Sequence, residues 1–213
     1  MISKNKTRIK MTNKKQPKKT KNKSQNKETS YSSIVDKIND EIDHVVENID
    51  KKQTEKFINK IIKSKRIFLT GGGRSGLIAE AFAMRLVQLG FESYIIGEST
   101  TPSITKKDLV IAISGSGKTK MTLAAINSVR KSHEDNVKIC TITADKNSPI
   151  AKKSELVVMI NAKTKSNKMK SLEPMGSLFE QSAFIYLDSV VIVLMRKLGK
   201  TQSYMKKRHS KIT

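Results

Sequence analysis

Apolar residues recur three and four apart at Ile34, Ile38, Ile42, Val45, Val46 and Ile49, which predicts an amphipathic helix over 33–49. A second helix is expected over 54–63, with Phe57, Ile58, Ile61 and Ile62 on its inner face. The pattern then changes to short apolar runs alternating with helical stretches. The runs 66–70, 93–96, 109–114, 137–143 and 156–160 predict five strands. Helices are expected over 77–89, 118–132 and, as a short piece, 148–152. Gly90 is placed to cap the first of these, and Pro149 lies in the first turn of the last. A long helix over 177–198 ends at Gly199, and a short basic helix over 202–207 leads to Arg208-His209.

Strands that alternate with helices build a parallel sheet covered on both faces. The run Leu109-Val110-Ile111-Ala112-Ile113 is apolar at every position, as a central parallel strand requires. The expected fold is an α/β three-layer sandwich: a five-stranded, parallel, doubly wound sheet with added N- and C-terminal helices. It forms one domain over 31–213. Residues 1–30 are poor in apolar side chains and are expected to be a disordered basic tail.

Two loops carry most of the chemistry. Thr70-Gly71-Gly72-Gly73-Arg74-Ser75-Gly76 follows the first strand, and Ser114-Gly115-Ser116-Gly117-Lys118-Thr119 follows the third. A strand-to-helix turn without side-chain bulk leaves backbone N–H groups at a helix N-terminus open to an anion. Two such turns on neighbouring strands converge on one crevice, which suits a small hydroxylated phosphate ester.

Two better-known motifs fit poorly. Gly71, Gly73 and Gly76 match a dinucleotide fingerprint, and Glu98 stands about twenty residues on, but that reading leaves the second loop without a task. Gly117-Lys118-Thr119 imitates a nucleotide triphosphatase loop, yet Ala112 stands where that loop needs its first glycine. What remains is a Ser-x-Ser-Gly-x-Thr turn. Its hydroxyls at Ser114, Ser116 and Thr119 exceed what capping one helix needs.

Glu173-Pro174-Met175-Gly176-Ser177-Leu178-Phe179-Glu180 is the third informative stretch. Ser177 and Glu180 have the spacing of a capping box. Glu180 also opens an otherwise apolar helix, where a partly buried carboxylate suits general-base work. His44 is expected on a helix surface and Cys140 in a buried strand. By residue type alone, His209 is a solvated terminal histidine, and Arg74 contacts substrate or decorates its loop.

Composition changes the picture little. The formal charge is +23, but residues 1–30 alone hold eleven Lys/Arg against one acid. The charge therefore fits a solvated, disordered extension, with no nucleic-acid binding expected beyond non-specific attachment through that tail. One cysteine gives neither a disulfide framework nor a zinc cluster, and fits a reducing, cytoplasmic setting. The most apolar stretch, 183–195, contains Asp188 and is expected to be a core helix rather than a membrane span.

These motifs, GGGRSG, ISGSGKT, LEPMGSLFE and the terminal MKKRH, resemble the sugar-isomerase (SIS) domain family, and most closely its 6-phospho-3-hexuloisomerases, over 34–209. The resemblance implies interconversion of D-arabino-hex-3-ulose 6-phosphate and D-fructose 6-phosphate, a step of the ribulose monophosphate pathway of formaldehyde fixation. It implies an enediol intermediate, no metal and no cofactor. It assigns Glu180 and His209 to catalysis, with His209 at a neighbouring site of a homotetramer. Substrate binding falls to Gly73, Arg74, Ser75, Ser114, Gly115, Ser116, Gly117 and Thr119. Lys118 departs from the family, which commonly has an acid there, and a lysine in the first helical turn opposes the helix dipole. The alternative reading is a non-catalytic phosphosugar-binding module, which would keep the serine loops and have no use for Glu180.

Overall fold

The structure is a computed structural model that describes residues 30–133 and 136–209. The basic tail expected to be disordered lies outside them, apart from Ser30. The chain divides into two units, 1–36 and 37–213. Within the first, Ser30 precedes the opening turn of α1, and its Oγ accepts the Ser33 N–H at 3.3 Å.

Helices α1 (Tyr31–Glu47) and α2 (Lys51–Lys63) precede the sheet. α2 starts three residues earlier than the apolar pattern indicates. The Asp50 carboxylate accepts the N–H groups of Lys52 and Gln53 at 2.7 and 3.0 Å and so caps it. Then come β1 (Arg66–Gly71), α3 (Arg74–Leu89), β2 (Glu92–Ile95), β3 (Leu109–Ile113), α4 (Lys120–His133), β4 (Lys138–Thr143) and β5 (Leu156–Met159). α5 (Ser177–Lys197) and α6 (Gln202–Lys207) close the described chain. The short helix expected over 148–152 is a single 3₁₀ turn, Ala151–Lys153.

All strand pairs are parallel, in the order β2-β1-β3-β4-β5. This is the expected doubly wound sheet, and its order reverses between β1 and β3. Strand alternation sorts the core. Ile67, Leu69, Leu109, Ile111 and Ile113 face a large apolar layer that includes Ile42 and Val45 of α1, Phe57 of α2, Phe82 of α3 and Tyr186 of α5. Phe57 is fully buried and its ring lies 6.5 Å from Phe82 and 6.2 Å from Tyr186. Burying such a side chain contributes about 1.5–3 kcal/mol. Phe68, Val110, Ala112 and Ile139 face the other way, against Ile126 and Val129 of α4.

Two residues placed by sequence sit as expected. Gly90 ends α3 at φ 103°, and its N–H reaches the carbonyls of Leu86 and Val87. Cys140 is buried in β4, and burial pushes its thiol up to about 12. Helix α5 is long and apolar enough, by length and composition, to cross a membrane, and 56% of its most apolar window is buried inside the protein.

Candidate functional site

Both glycine loops leave the carboxyl ends of adjacent strands at the point where strand order reverses, the place where open α/β sheets bind ligands. The first loop closes tightly. A Cβ on Gly71 would lie 2.6 Å from the Ser75 carbonyl oxygen, so only glycine allows the turn. Gly73 holds the cap position of α3 with no capping side chain, which leaves the amino end of the helix open. Ser75, in that first helical turn, is buried.

The second loop is braced by Ser114. Its Oγ accepts the Gly117 N–H at 3.1 Å and lies 2.9 Å from the Thr119 hydroxyl. Only 1% of Ser114 is exposed, so this hydroxyl shapes the loop from within. Gly117 has φ +58°, and a Cβ there would fall 2.0 Å from Ser148 Oγ. Glycine is required at Gly117 by conformation and by space. Ser116 Oγ accepts the Lys118 N–H at 3.2 Å. Among the described residues, the N–H groups of Gly115 and Ser116 have no acceptor. The two loops touch, since a Cβ on Gly72 would come within 2.6 Å of Thr119 Cγ2.

A third wall comes from α5 and the segment before it. The capping box expected at Ser177 and Glu180 does not form. Gly176 holds the cap position, Ser177 is the first helical residue, and the Glu180 N–H donates to the Gly176 carbonyl at 3.1 Å. The Glu180 carboxylate is thereby released from its own helix. It pairs instead with Arg74 Nε at the start of α3, 106 residues away in sequence. A charge-assisted bond to guanidinium is stronger than one to a neutral N–H, which explains the choice. Glu180 is 9% exposed, while the Arg74 side chain is 60% exposed. Phe179 is buried and packs on the bare Cα of Gly115.

Of the sequence-derived set, Ser75, Gly115, Ser116, Thr119 and Glu180 line one crevice. Arg74 adjoins it through Glu180, while Ser114 and Gly117 stand behind its wall. Gly72, Thr164, Lys165, Gly176 and Phe179 also line it and escaped the sequence reading. Thr164 is held there because its N–H donates to Asn167 Oδ1 at 3.0 Å. The polar run 161–170 carries no local signal for such a role. Lys118 points to Asp145, with 3.7 Å between charged atoms, and does not line the crevice. His209 lies apart from its own chain's crevice, in a groove shared with Asp188 of α5 and Lys206 of α6.

The crevice encloses about 80 Å³. That is well below the several hundred Å³ of a site that swallows a small molecule. One chain can grip one end of such a ligand. Free N–H groups and hydroxyls of the loops supply donors to an anion, and Glu180 supplies a single proton acceptor beside them.

The SIS domain matches residues 60–185. A 3-hexulose-6-phosphate isomerase of Methanocaldococcus jannaschii is 42% identical, over 75% of this chain and 83% of its own. That of Bacillus subtilis is 36% identical, over 77% and 89%. The crystal structure of a Methanococcus jannaschii protein, inferred to be a 3-hexulose-6-phosphate isomerase, superimposes with a TM-score of 0.74 at 36% identity, covering 84% of this chain and 99% of that one. With its sheet order, its paired serine–glycine loops and these relatives, the chain belongs to the SIS domain family, in the group that holds the 3-hexulose-6-phosphate isomerases.

Proposed function

We propose that this protein interconverts D-arabino-hex-3-ulose 6-phosphate and D-fructose 6-phosphate. The observation that carries the reading is the convergence of Glu180 with Ser75, Ser116 and Thr119 in one crevice at the strand-order reversal. A phosphate-binding module would need the two loops alone. The relatives named 3-hexulose-6-phosphate isomerase support the same substrate pair.

The phosphate sits against Ser75, Ser116, Thr119 and the open N–H groups of Gly115 and Ser116. Ser114, Gly117 and Gly73 shape the loops that present these donors. The Glu180 carboxylate takes the proton from C2 of the 3-ulose. The electron pair moves toward C3 as its carbonyl becomes an enediolate oxygen. The O2 hydroxyl gives its proton to O3, so that the carbonyl forms at C2, and the same carboxylate returns its proton to C3. Arg74 keeps Glu180 in place. One base serves both carbons, and binding at the phosphate end supplies the orientation.

His209 completes the site from a neighbouring subunit, and the protein works as a homotetramer. The small volume of the crevice and the position of His209 away from it support this. So do the apolar residues left exposed on α3 and α5: Leu77, Met84, Phe184, Ile185 and Ile192. A charged sugar phosphate and a buried free cysteine suit work in the cytoplasm, on the formaldehyde-fixing ribulose monophosphate route. Incubating the protein with fructose 6-phosphate and following the sugar carbons by NMR tests the reading. Appearance of the 3-ulose supports it, and an unchanged spectrum refutes it.

A further inference from the structure

Removal of the C2 proton puts negative charge on O3 of the sugar, and an oxygen anion in a crevice needs a fixed donor aimed at it. The donors of the two serine loops serve the phosphate, so this donor must come from the third wall. Arg74 decides which oxygen of Glu180 faces that wall. Its Nε binds Oε2, which leaves Oε1 to accept the proton. A Cβ on Gly176 would lie 3.7 Å from Glu180 Oε1, 3.8 Å from Lys165 N and 3.8 Å from Thr164 Cα. Gly176 has no Cβ, so a gap stays open between the free carboxylate oxygen and the main chain of Lys165. Gly176, Glu180 and Lys165 all line the crevice.

Lys165 borders the gap with two uncommitted donors. It lies in a turn folded on itself. The Thr164 N–H donates to Asn167 Oδ1 at 3.0 Å, and the N–H groups of Ser166 and Asn167 each donate to Thr164 Oγ1 at 3.3 Å. Asn167 Nδ2–H donates to the Ala162 carbonyl at 2.9 Å and closes the turn. Thr164 is buried and seated on the second loop, where a Cβ on Gly115 would lie 3.1 Å from its Cγ2. The N–H groups on both sides of Lys165 are thus spent, while its own N–H has no acceptor among the described residues. The cations around it are engaged elsewhere. Lys163 Nζ donates to the Glu173 carbonyl, Lys118 faces Asp145 and Arg74 holds Glu180. Lys165 is the cation among the residues that line the crevice, and it is exposed with no ion-pair partner among the described residues.

We propose that Lys165 is a further catalytic residue, the donor that stabilises the enediolate, and that Gly176 keeps open the gap in which C2 and C3 of the sugar lie. The proposal deepens the isomerase reading and rests on it. Glu180 Oε1 takes the proton from C2, the C2–H electron pair forms the C2–C3 double bond, and the carbonyl pair of C3 moves onto O3. The Lys165 N–H and ammonium donate hydrogen bonds to O3 as charge grows there, then to O2 once its proton has passed to O3. Lys165 keeps its own proton throughout. A donor already in place needs no reorganisation at the moment of reaction.

Two variants of the full-length protein test it, with wild type assayed beside them. Lys165→Met keeps the length of the side chain and removes the ammonium from an exposed position, so melting should not change. Its kcat for fructose 6-phosphate should fall about 100-fold with KM little altered. Exchange of the C2 proton of the 3-ulose with deuterated solvent should fall in parallel. Gly176→Ala fills the gap. The φ of −119° at Gly176 suits alanine, and the new Cβ meets its neighbours at ordinary contact distances. This variant should melt close to wild type and lose turnover. Wild-type kcat in Lys165→Met overturns the proposal. A raised KM with kcat kept also overturns it, because Lys165 then serves the phosphate. Full activity in a folded Gly176→Ala overturns it as well. If wild type leaves fructose 6-phosphate unchanged, the isomerase reading itself fails and this proposal falls with it, an outcome distinct from an active wild type with an unimpaired variant.

Discussion

Glu180→Gln separates catalysis from structure more cleanly than any other change at this site. The side chain keeps its shape and can still accept a hydrogen bond from Arg74 through its amide oxygen. What it loses is the charge and the ability to take up a proton. The structural cost follows from the pair's exposure. The Arg74 side chain is 60% exposed, so solvent screens the ion pair. Such pairs contribute about 0.2–1 kcal/mol. In a folded unit of this size, 1 kcal/mol corresponds to a shift of about 2–4 °C in Tm. The chemical cost is larger by far. Removing a general base lowers turnover by about two to four orders of magnitude, or about 2.7–5.4 kcal/mol of barrier. The variant should therefore melt within a few degrees of wild type and bind fructose 6-phosphate normally. It should be nearly inert by NMR interconversion and by exchange of the C2 proton of the 3-ulose with deuterated solvent. A folded Glu180→Gln protein that turns over at near wild-type rate would falsify the assignment of Glu180 as base. A variant that fails to fold would show that the carboxylate is chiefly structural.

Three further outcomes follow from particular contacts. Ser116→Ala removes one hydroxyl donor to the phosphate, a charge-assisted bond of about 1.5–3 kcal/mol, so KM should rise roughly 10- to 150-fold with kcat largely kept. An unchanged KM removes Ser116 from the phosphate site. Asp108, 1% exposed, would be pushed up by burial, but bonds from Arg66 at 3.1 and 2.7 Å and from Thr105 outweigh this and hold it below the usual range. Its stabilisation is present above the ordinary Asp value and is lost as pH falls through its folded value. Asp108→Asn should cost about 3–5 kcal/mol in a neutral denaturant titration and make acid unfolding less steep. An acid-unfolding curve of unchanged steepness counts against this pair. Cys140, buried with its thiol pushed up to about 12, should resist alkylation in the native protein at neutral pH and react only in denaturant. Rapid native labelling would contradict the placement of β4.

The sequence made the fold legible because its signals are local. Five apolar runs at strand length, with helical periods between them, dictate a parallel sheet, and all five strands lie within one or two residues of where the pattern puts them. The loops were legible for the same reason. Glycine and serine at a strand-to-helix turn have few other uses, and five of the ten residues named for the site line the crevice. Helix starts were less accurate. α2 begins at Lys51 because Asp50 caps it, and α3 begins at Arg74, before any apolar residue announces it.

Tertiary structure alone decided the partners of each side chain. Ser177 and Glu180 have capping-box spacing, yet Glu180 turns to Arg74, because a cation brought close by the sheet outbids a backbone N–H of its own helix. Ser114 was named beside Ser116, but the loop points its hydroxyl inward to Gly117 and Thr119. Thr164, Lys165 and Phe179 join the crevice only because the chain returns over the sheet, and no local period encodes that return. Burial of Glu173, and the hydrogen bond it accepts from Gln181, the residue after Glu180, likewise arise from packing. Residue type and spacing along the chain determined which elements form and which residues are chemically able to act. Which of them meet, and which charge each one faces, depends on contacts between residues a hundred positions apart, and only the folded chain sets those distances.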